Sequence, residues 1–252
     1  MINLRNKQEI KYLQEANQVV AKAYNILMGA IRPGITTDEL DKIAEDYIRS
    51  QGAEPAFLGY RGYPRSLCVS INDEVVHGIP GKRKLKVGDV VSLDLGAKKN
   101  GFYGDSALTV AVGKIPKKVE ELIRVTEESL YKGIEQATVD NRLHDISAAV
   151  QGHVEAHGFS VVRQFVGHGI GQQMHEDPQI PNYGKAGTGV RLKEGMVFAI
   201  EPMVNMGGWE VKILEDNWTV VTIDGSTSAH FEHSIVITKD RPLILSGRGP
   251  RQ

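Results

Sequence analysis

Two rhythms of apolar residues alternate along this chain. Over 7–30, Ile10, Leu13, Ala16, Val20, Ala23 and Leu27 recur at the spacing of one helical face, and Arg32-Pro33-Gly34 ends the run. Thr36 and Glu39 then form a capping-box pattern ahead of Leu40, Ile43, Ala44 and Tyr47, which predicts a second helix stopped at Gly52. Beyond it, 67–77, 87–95 and 106–112 are rich in Val, Ile and Leu and predict strands, with Asn100-Gly101 as a hairpin signal. The order then returns. Pro116 opens a helix carrying Val119, Leu122, Ile123, Leu130 and Ile134, and Leu143, Ile146, Ser147 and Val150 mark another. Strands are predicted again at 159–166, 196–204, 218–223 and 232–238.

A short stretch of sequence repeats along with the order. Leu85-Lys-Val-Gly-Asp-Val-Val-Ser-Leu-Asp94 aligns without gaps on Leu192-Lys-Glu-Gly-Met-Val-Phe-Ala-Ile-Glu201, and each segment ends in a carboxylate. The expectation is an α+β chain built from a duplicated unit. Its halves span about 7–113 and 116–238, with a short tail at 239–252, and together they form one catalytic domain over 1–252. Such a length is near the upper limit for a single core. A pseudo-twofold axis between the halves would set Asp94 and Glu201 facing each other.

Composition narrows the partners. The chain is 41% apolar and 24% charged, with net charge −1, so it has no electrostatic signature of nucleic-acid binding and no DNA partner is expected. Cys68 is the only cysteine, which removes an internal disulfide and thiolate zinc sites. The first fourteen residues have charged or polar residues interspersed throughout and lack a signal peptide's apolar stretch, and no run of about 18 apolar residues reads as a membrane span. A cytoplasmic setting is the expectation.

Ionisable residues interrupt these apolar runs at particular places. Asp94 ends the strand Val90-Val-Ser-Leu, and Asp105 follows a Gly-Phe-Tyr-Gly turn that could return it beside Asp94. Glu201 ends Val-Phe-Ala-Ile, and Glu232 stands at the mouth of another strand. One such acid alone reads as a turn cap. Four at strand ends, in matching halves, read as a ligand set, because an ionised acid on an apolar strand is costly unless paired or bound to metal.

His168 and His175 lie in the glycine-rich loop Gly167-His-Gly-Ile-Gly-Gln-Gln-Met-His, and His77 in Val-Val-His-Gly-Ile-Pro echoes the first of them. His153 and His157 share a helix face, but Val154 stands where the zinc-peptidase helix needs Glu, so they read as a solvated face. The four carboxylates would balance two divalent ions. One imidazole among oxygens suits Co, Mn, Fe or Zn. A pair of such ions activates water and polarises a carbonyl, which is machinery for hydrolysing an amide or ester.

These residues complete a wider pattern. Gly-Tyr60 with Gly-Tyr63-Pro-Arg-Ser, Cys68-Val-Ser-Ile-Asn72, His77-Gly-Ile-Pro80, Asp94, Gly-Asp105, Gly-His168-Gly-Ile-Gly, His175-Glu-Asp-Pro178, Glu201-Pro-Met and Glu232-His run over nearly the whole chain. The sequence resembles the type I methionine aminopeptidases. That resemblance implies a pita-bread fold, a curved antiparallel sheet with helices on its outer face and metals in the central cleft. It implies that Asp94 chelates one ion, that His168 and Glu201 bind the other, and that Asp105 and Glu232 bridge them.

The activity it implies is removal of the initiator methionine from nascent polypeptides, with small second residues preferred. Glu201 would shuttle the proton, His175 would stabilise the tetrahedral oxyanion, and His77 would hydrogen-bond the scissile nitrogen or the leaving group. Phe57, Tyr60, Tyr63, Cys68, Met174 and Trp218 would line the methionine pocket. The departures from the family's pattern are at 57 and 174, where Cys and Phe are common and this chain has Phe57 and Met174. Prolidases and aminopeptidases P share the metal set but usually carry a further amino-terminal domain. The family leans monomeric, so a monomer is expected. Lys82, Arg83, Lys84 and Lys86 form a basic run that most often is a solvated turn, with ribosome contact as the alternative.

Overall fold

The first helix begins where Asn6 caps it. Its side chain accepts hydrogen bonds from the N–H groups of Gln8 and Glu9, while Glu9 reaches back to the Asn6 N–H. The computed structural model describes residues 2–247, so the end of the expected tail, 248–252, lies outside the described residues. Four helices are found among them: α1 (Lys7–Ala30), α2 (Thr37–Ser50), α3 (Lys117–Glu135) and α4 (Leu143–Ala156). The capping box at Thr36 and Glu39 is present, and Pro116 stands as the residue just before α3.

The first-half strands are β1 (Glu54–Pro55), β2 (Leu67–Ile71), β3 (Glu74–Val76), β4 (Val90–Lys99) and β5 (Phe102–Ala111). The second half supplies β6 (Ser160–Val161), β7 (Gly167–Gly169), β8 (Glu176–Ile180), β9 (Val197–Ile200) and β10 (Met203–Asn205). It continues with β11 (Val211–Ile213), β12 (Val220–Thr222), β13 (Ser228–His230), β14 (Glu232–Val236) and β15 (Leu243–Ile244). The main antiparallel sheet has nine strands in the order β1-β4-β5-β14-β9-β7-β8, with β2 also on β4 and β15 also on β14.

Alternation along the strands sorts the side chains. Leu93 and Leu95 of β4, Leu108 of β5, Phe198 and Ile200 of β9 and Ile235 of β14 share one core with residues of all four helices. The acids of these strands therefore point to the opposite face. Contact with the helices is close: a Cβ on Gly104 would lie 2.6 Å from the backbone nitrogen of Asn17, so β5 admits α1 only with glycine there.

The two halves make the same contacts. Leu85 and Leu192 are both buried, and each donates its N–H to the residue just before the cap of a helix, to Ile35 O at 2.9 Å and to Asn141 O at 3.0 Å. Thr36 bridges Lys84 as Arg142 bridges Arg191. Gly88 and Gly195, at the same place in the repeat, both have φ in the left-handed region, +98° and +86°. The inner strands β5 and β14 pair across the junction, flanked by β4 and β9.

Several local expectations are corrected. Asp94 is not at a strand end, because β4 continues to Lys99 by pairing with β5 along its whole length. Asp105 does not follow a turn: the turn is Asn100-Gly101, and Asp105 sits inside β5 opposite Gly96. His168 is on strand β7 rather than in a loop, since its glycine neighbours let β8 and β9 close on both sides. The strand expected over 159–166 is formed only at Ser160–Val161. His153 and His157 are half-buried, not a solvated face; His153 Nε2 lies 3.1 Å from Glu128, and His157 Nδ1 lies 2.8 Å from His153 O.

Candidate metal centre and adjoining pocket

The register of the sheet assembles the site. Ala107 of β5 has Asp94 opposite it on β4 and Glu232 opposite it on β14, so the three residues form one row across three strands. A second row runs through Ser234, Ala199 and His168 on β14, β9 and β7. Asp105 lies two residues along β5 from Ala107, and Glu201 lies two residues on from Ala199, so both share the face of these rows. Ala107 and Ala199 contribute only methyl groups beneath the acids. The rows leave room above the sheet.

Asp105, His168 and Glu232 each offer a ligand atom within 4.8 Å of the others, and all three are buried. Glu201 Oε1 is 3.6 Å from His168 Nε2, and Asp105 Oδ2 is 3.9 Å from the same nitrogen. His168 Nδ1 is 2.9 Å from the carbonyl oxygen of Gly169, so it donates there and turns Nε2 to the acids. The sequence-expected acids are therefore gathered on one face. Asp94 shares the row of Glu232 and stands outside this tight group.

Burial dominates the electrostatics. It raises the Asp94 carboxyl to about 7, opposed by the nearby His230 and reinforced by Glu201. It raises Glu201 to about 8, and holds Asp105 well above the carboxylate range, with Asp94 and Glu201 adding to the effect. It lowers His168 to about 3 and His77 to about 4. Asp94 Oδ1 and Asp105 Oδ1 are buried with no hydrogen-bond partner among the described residues. Such atoms are expensive unless a cation meets them. A buried cluster of carboxylates and a neutral imidazole thus fits divalent metal.

An apolar wall of side chains adjoins the acids. Phe57, Tyr63, Cys68 and Met174 form one buried cluster with Tyr60, Ile79, Tyr103 and Trp218 packed against it. Cys68 pairs with Asp94 across β2 and β4, so this wall abuts the metal centre. Gly96 makes space for it: a Cβ there would fall 2.7 Å from the Phe57 ring. A cavity of about 610 Å³ opens beside His168 and His175, with Arg61, Gln172 and Glu176 also lining it.

His175 Nδ1 is 2.7 Å from the Tyr60 hydroxyl, and its ring is 4.3 Å from that of His168. His77 has φ +62° and sits edge-on to Phe165 and Trp218. The Gly78 that follows is required, because a Cβ there would lie 2.3 Å from Val69 O. Sequence reasoning missed His230. Its Nε2 is 3.6 Å from Glu201 Oε2, so the cage is bordered by a second imidazole. The available signal was alternation: His230 stands two residues before Glu232 and shares its face.

A family model described as metallopeptidase family M24 matches residues 11–239. A methionine aminopeptidase of Clostridium perfringens is 55% identical over 98% of this chain and 99% of its own length. Methionine aminopeptidase 1 of Bacillus subtilis is 56% identical over the same shares. The crystal structure of methionine aminopeptidase from Rickettsia prowazekii superposes with a TM-score of 0.97 at 41% identity, covering 98% of this chain and 100% of that one. A Xaa-Pro dipeptidase of Bacillus anthracis shares the fold at TM-score 0.78 and 24% identity, with only 63% of its length covered. The chain belongs to metallopeptidase family M24, so it is a metal-dependent peptidase with the pita-bread fold. Within that family it falls among the methionine aminopeptidases.

Proposed function

We propose that this chain removes the amino-terminal methionine of nascent proteins by hydrolysing their first peptide bond, and that it holds two divalent ions to do so. The observation that carries the reading is the buried Asp105–His168–Glu232 cluster beside the Phe57–Met174 wall, in a chain that matches methionine aminopeptidases over their full length. Asp94 would hold one ion, His168 and Glu201 the other, with Asp105 and Glu232 shared between them. When bound, the ions supply a nucleophile from water at neutral pH and a Lewis acid for the scissile carbonyl.

The chain's own residues do the rest. Phe57, Tyr60, Tyr63, Cys68, Met174 and Trp218 receive the methionine side chain in an apolar wall with polarisable sulfur. Glu201, whose two oxygens face His168 and His230, would take and return the proton during hydrolysis. In the tautomer whose Nδ1 accepts from the Tyr60 hydroxyl, 2.7 Å away, His175 Nε2 carries the N–H and would donate it toward the charge that develops on the carbonyl oxygen. His77 donates to the scissile nitrogen or the leaving group. His77→Ala should lower kcat by about 10²-fold while metal content, read by mass spectrometry, stays at the parent level.

The direct test is cleavage of Met-Xaa-Ser peptides after reconstitution with manganese or cobalt. Ala, Gly and Ser at Xaa should outrun Leu and Lys, because His77 and the Phe165 ring packed edge-on against it would narrow the leaving side. Turnover of Xaa-Pro substrates in preference to Met-Ala-Ser would overturn the reading. The proposal extends to a cytoplasmic monomer. No helix among the described residues is long and apolar enough to cross a membrane. It extends also to transient ribosome contact through the exposed Lys82, Arg83, Lys84 and Lys86; salt-sensitive co-sedimentation with ribosomes, lost on charge reversal, is the expected result.

A further inference from the structure

His230 is the least explained group at the site. It is 1% exposed, and neither ring nitrogen has a hydrogen-bond partner among the described residues. A buried imidazole with both nitrogens idle forfeits its solvation for nothing, so a partner close at hand is expected. One is present. Glu201 spans two imidazoles, with Oε1 3.6 Å from His168 Nε2 and Oε2 3.6 Å from His230 Nε2.

The backbone of His230 is unusually well fixed. Its N–H donates to the Thr109 hydroxyl at 2.8 Å, and that hydroxyl in turn lies 2.8 Å from the His230 carbonyl oxygen. Ser92 Oγ is 2.8 Å from Thr109 Oγ1, which joins this clamp to the strand that carries Asp94. On the other side, His230 pairs with Met203 across β13 and β10, two residues past Glu201. The ring is thus mounted on β13, a strand tied through Thr109 and Ser92 to β5 and β4, rather than on a loop that could turn it elsewhere.

We propose that His230 is a positioning residue for Glu201, its ring N–H holding Oε2 so that Oε1 is presented on the His168 side. The inference rests on the metal-dependent reading of the site given above. An imidazole carries an N–H on at least one nitrogen in either protonation state, so the contact needs no particular charge on the ring. A separation of 3.6 Å exceeds a hydrogen bond, and a small rotation of either side chain closes it. Contacts of this kind tighten once a site is engaged. A carboxylate ligand held at its other oxygen loses less freedom on binding a cation, and partners of this kind typically affect metal affinity by about 10–100-fold.

The test compares the parent with His230→Leu and His230→Gln, each stripped by chelator and titrated with Co²⁺ by calorimetry, then assayed on Met-Ala-Ser. His230→Leu should weaken Co²⁺ about tenfold or more and lower kcat, with KM little changed. His230→Gln, which keeps an N–H donor, should recover most of both. Leu at parent affinity and kcat would show that the ring does nothing for Glu201. Gln as damaged as Leu would mark His230 as a ligand itself and equally overturn the positioning role.

Nitrogen-15 spectra of the zinc-loaded parent supply a measurement that does not depend on either variant folding. An exchange-protected His230 ring N–H is expected, and a freely exchanging one would overturn the proposal. A parent that bound no Co²⁺ at all would instead remove the metal reading itself.

Discussion

Asp105→Ala should yield a folded protein that no longer hydrolyses Met-Ala-Ser and is no longer stabilised by manganese or cobalt. Asp105 is 5% exposed, belongs to the tight Asp105–His168–Glu232 group, and has one oxygen with no partner among the described residues. Removing it takes one carboxylate from the set proposed to bridge two cations. A fall in kcat/KM of at least about 10³-fold is expected, equivalent to about 4 kcal/mol. In the parent, metal at a hundredfold excess over Kd should add about 2.7 kcal/mol of stability, and the variant should show none of it.

Chelator-treated protein should behave in the opposite sense. The folded chain holds Asp94, Asp105 and Glu201 protonated to higher pH than an unfolded chain would. It therefore binds more protons than the unfolded state, and its stability falls as pH rises from about 4, the ordinary carboxyl value, through about 7–8. Asp105→Ala removes part of that penalty, so without metal it should melt at or above the parent temperature at pH 7. Thermal melts with and without metal read both effects. Parent-level activity in the variant would sink the ligand assignment.

Gly169→Ala should damage stability and turnover together. A Cβ on Gly169 would lie 2.1 Å from the Asp177 carbonyl oxygen, and that oxygen belongs to backbone, which cannot swing aside like a side chain. Strands β7 and β8 would have to separate, at about 1–3 kcal/mol for overpacking of this kind. The shift would carry His168, which precedes Gly169, and His175, which precedes β8. A displacement of about 1 Å near reacting groups can cost about 10²-fold in rate. Gly152→Ala is the matched control. It lies within α4 with nothing within 4 Å of a Cβ, so it should gain about 0.5–1 kcal/mol and leave turnover unchanged. Equal denaturation midpoints for Gly169→Ala and the parent would mean the strands are slack there.

Much of this architecture is legible before folding because it depends on neighbours a few residues apart. The six apolar positions of α1 and the Thr36–Glu39 cap are local signals, and both appear where the spacing puts them. The duplicated Leu-Lys-x-Gly segment was equally visible, and its two copies make matching backbone contacts. Less legible were the places where one strand's length is set by another. Asp94 reads as a strand end because the apolar run stops there, yet β4 goes on to Lys99 because β5 pairs with it. β8, with Glu176, Asp177 and Pro178, carries no apolar pattern and forms only because β7 offers it an edge.

Residue chemistry, helical faces and the alternation that turns Asp94 away from Leu93 and Leu95 were determined by the sequence alone, since each is fixed by backbone geometry over one or two turns. Tertiary structure decided the rest: that Asp94 and Glu232 flank one alanine although 138 positions separate them, that His168 meets Glu201, and that His230 closes the far side. The physical reason is burial. Which distant strands become neighbours depends on covering the whole apolar face of a nine-stranded sheet with four helices at once, a condition that no single segment of the chain contains.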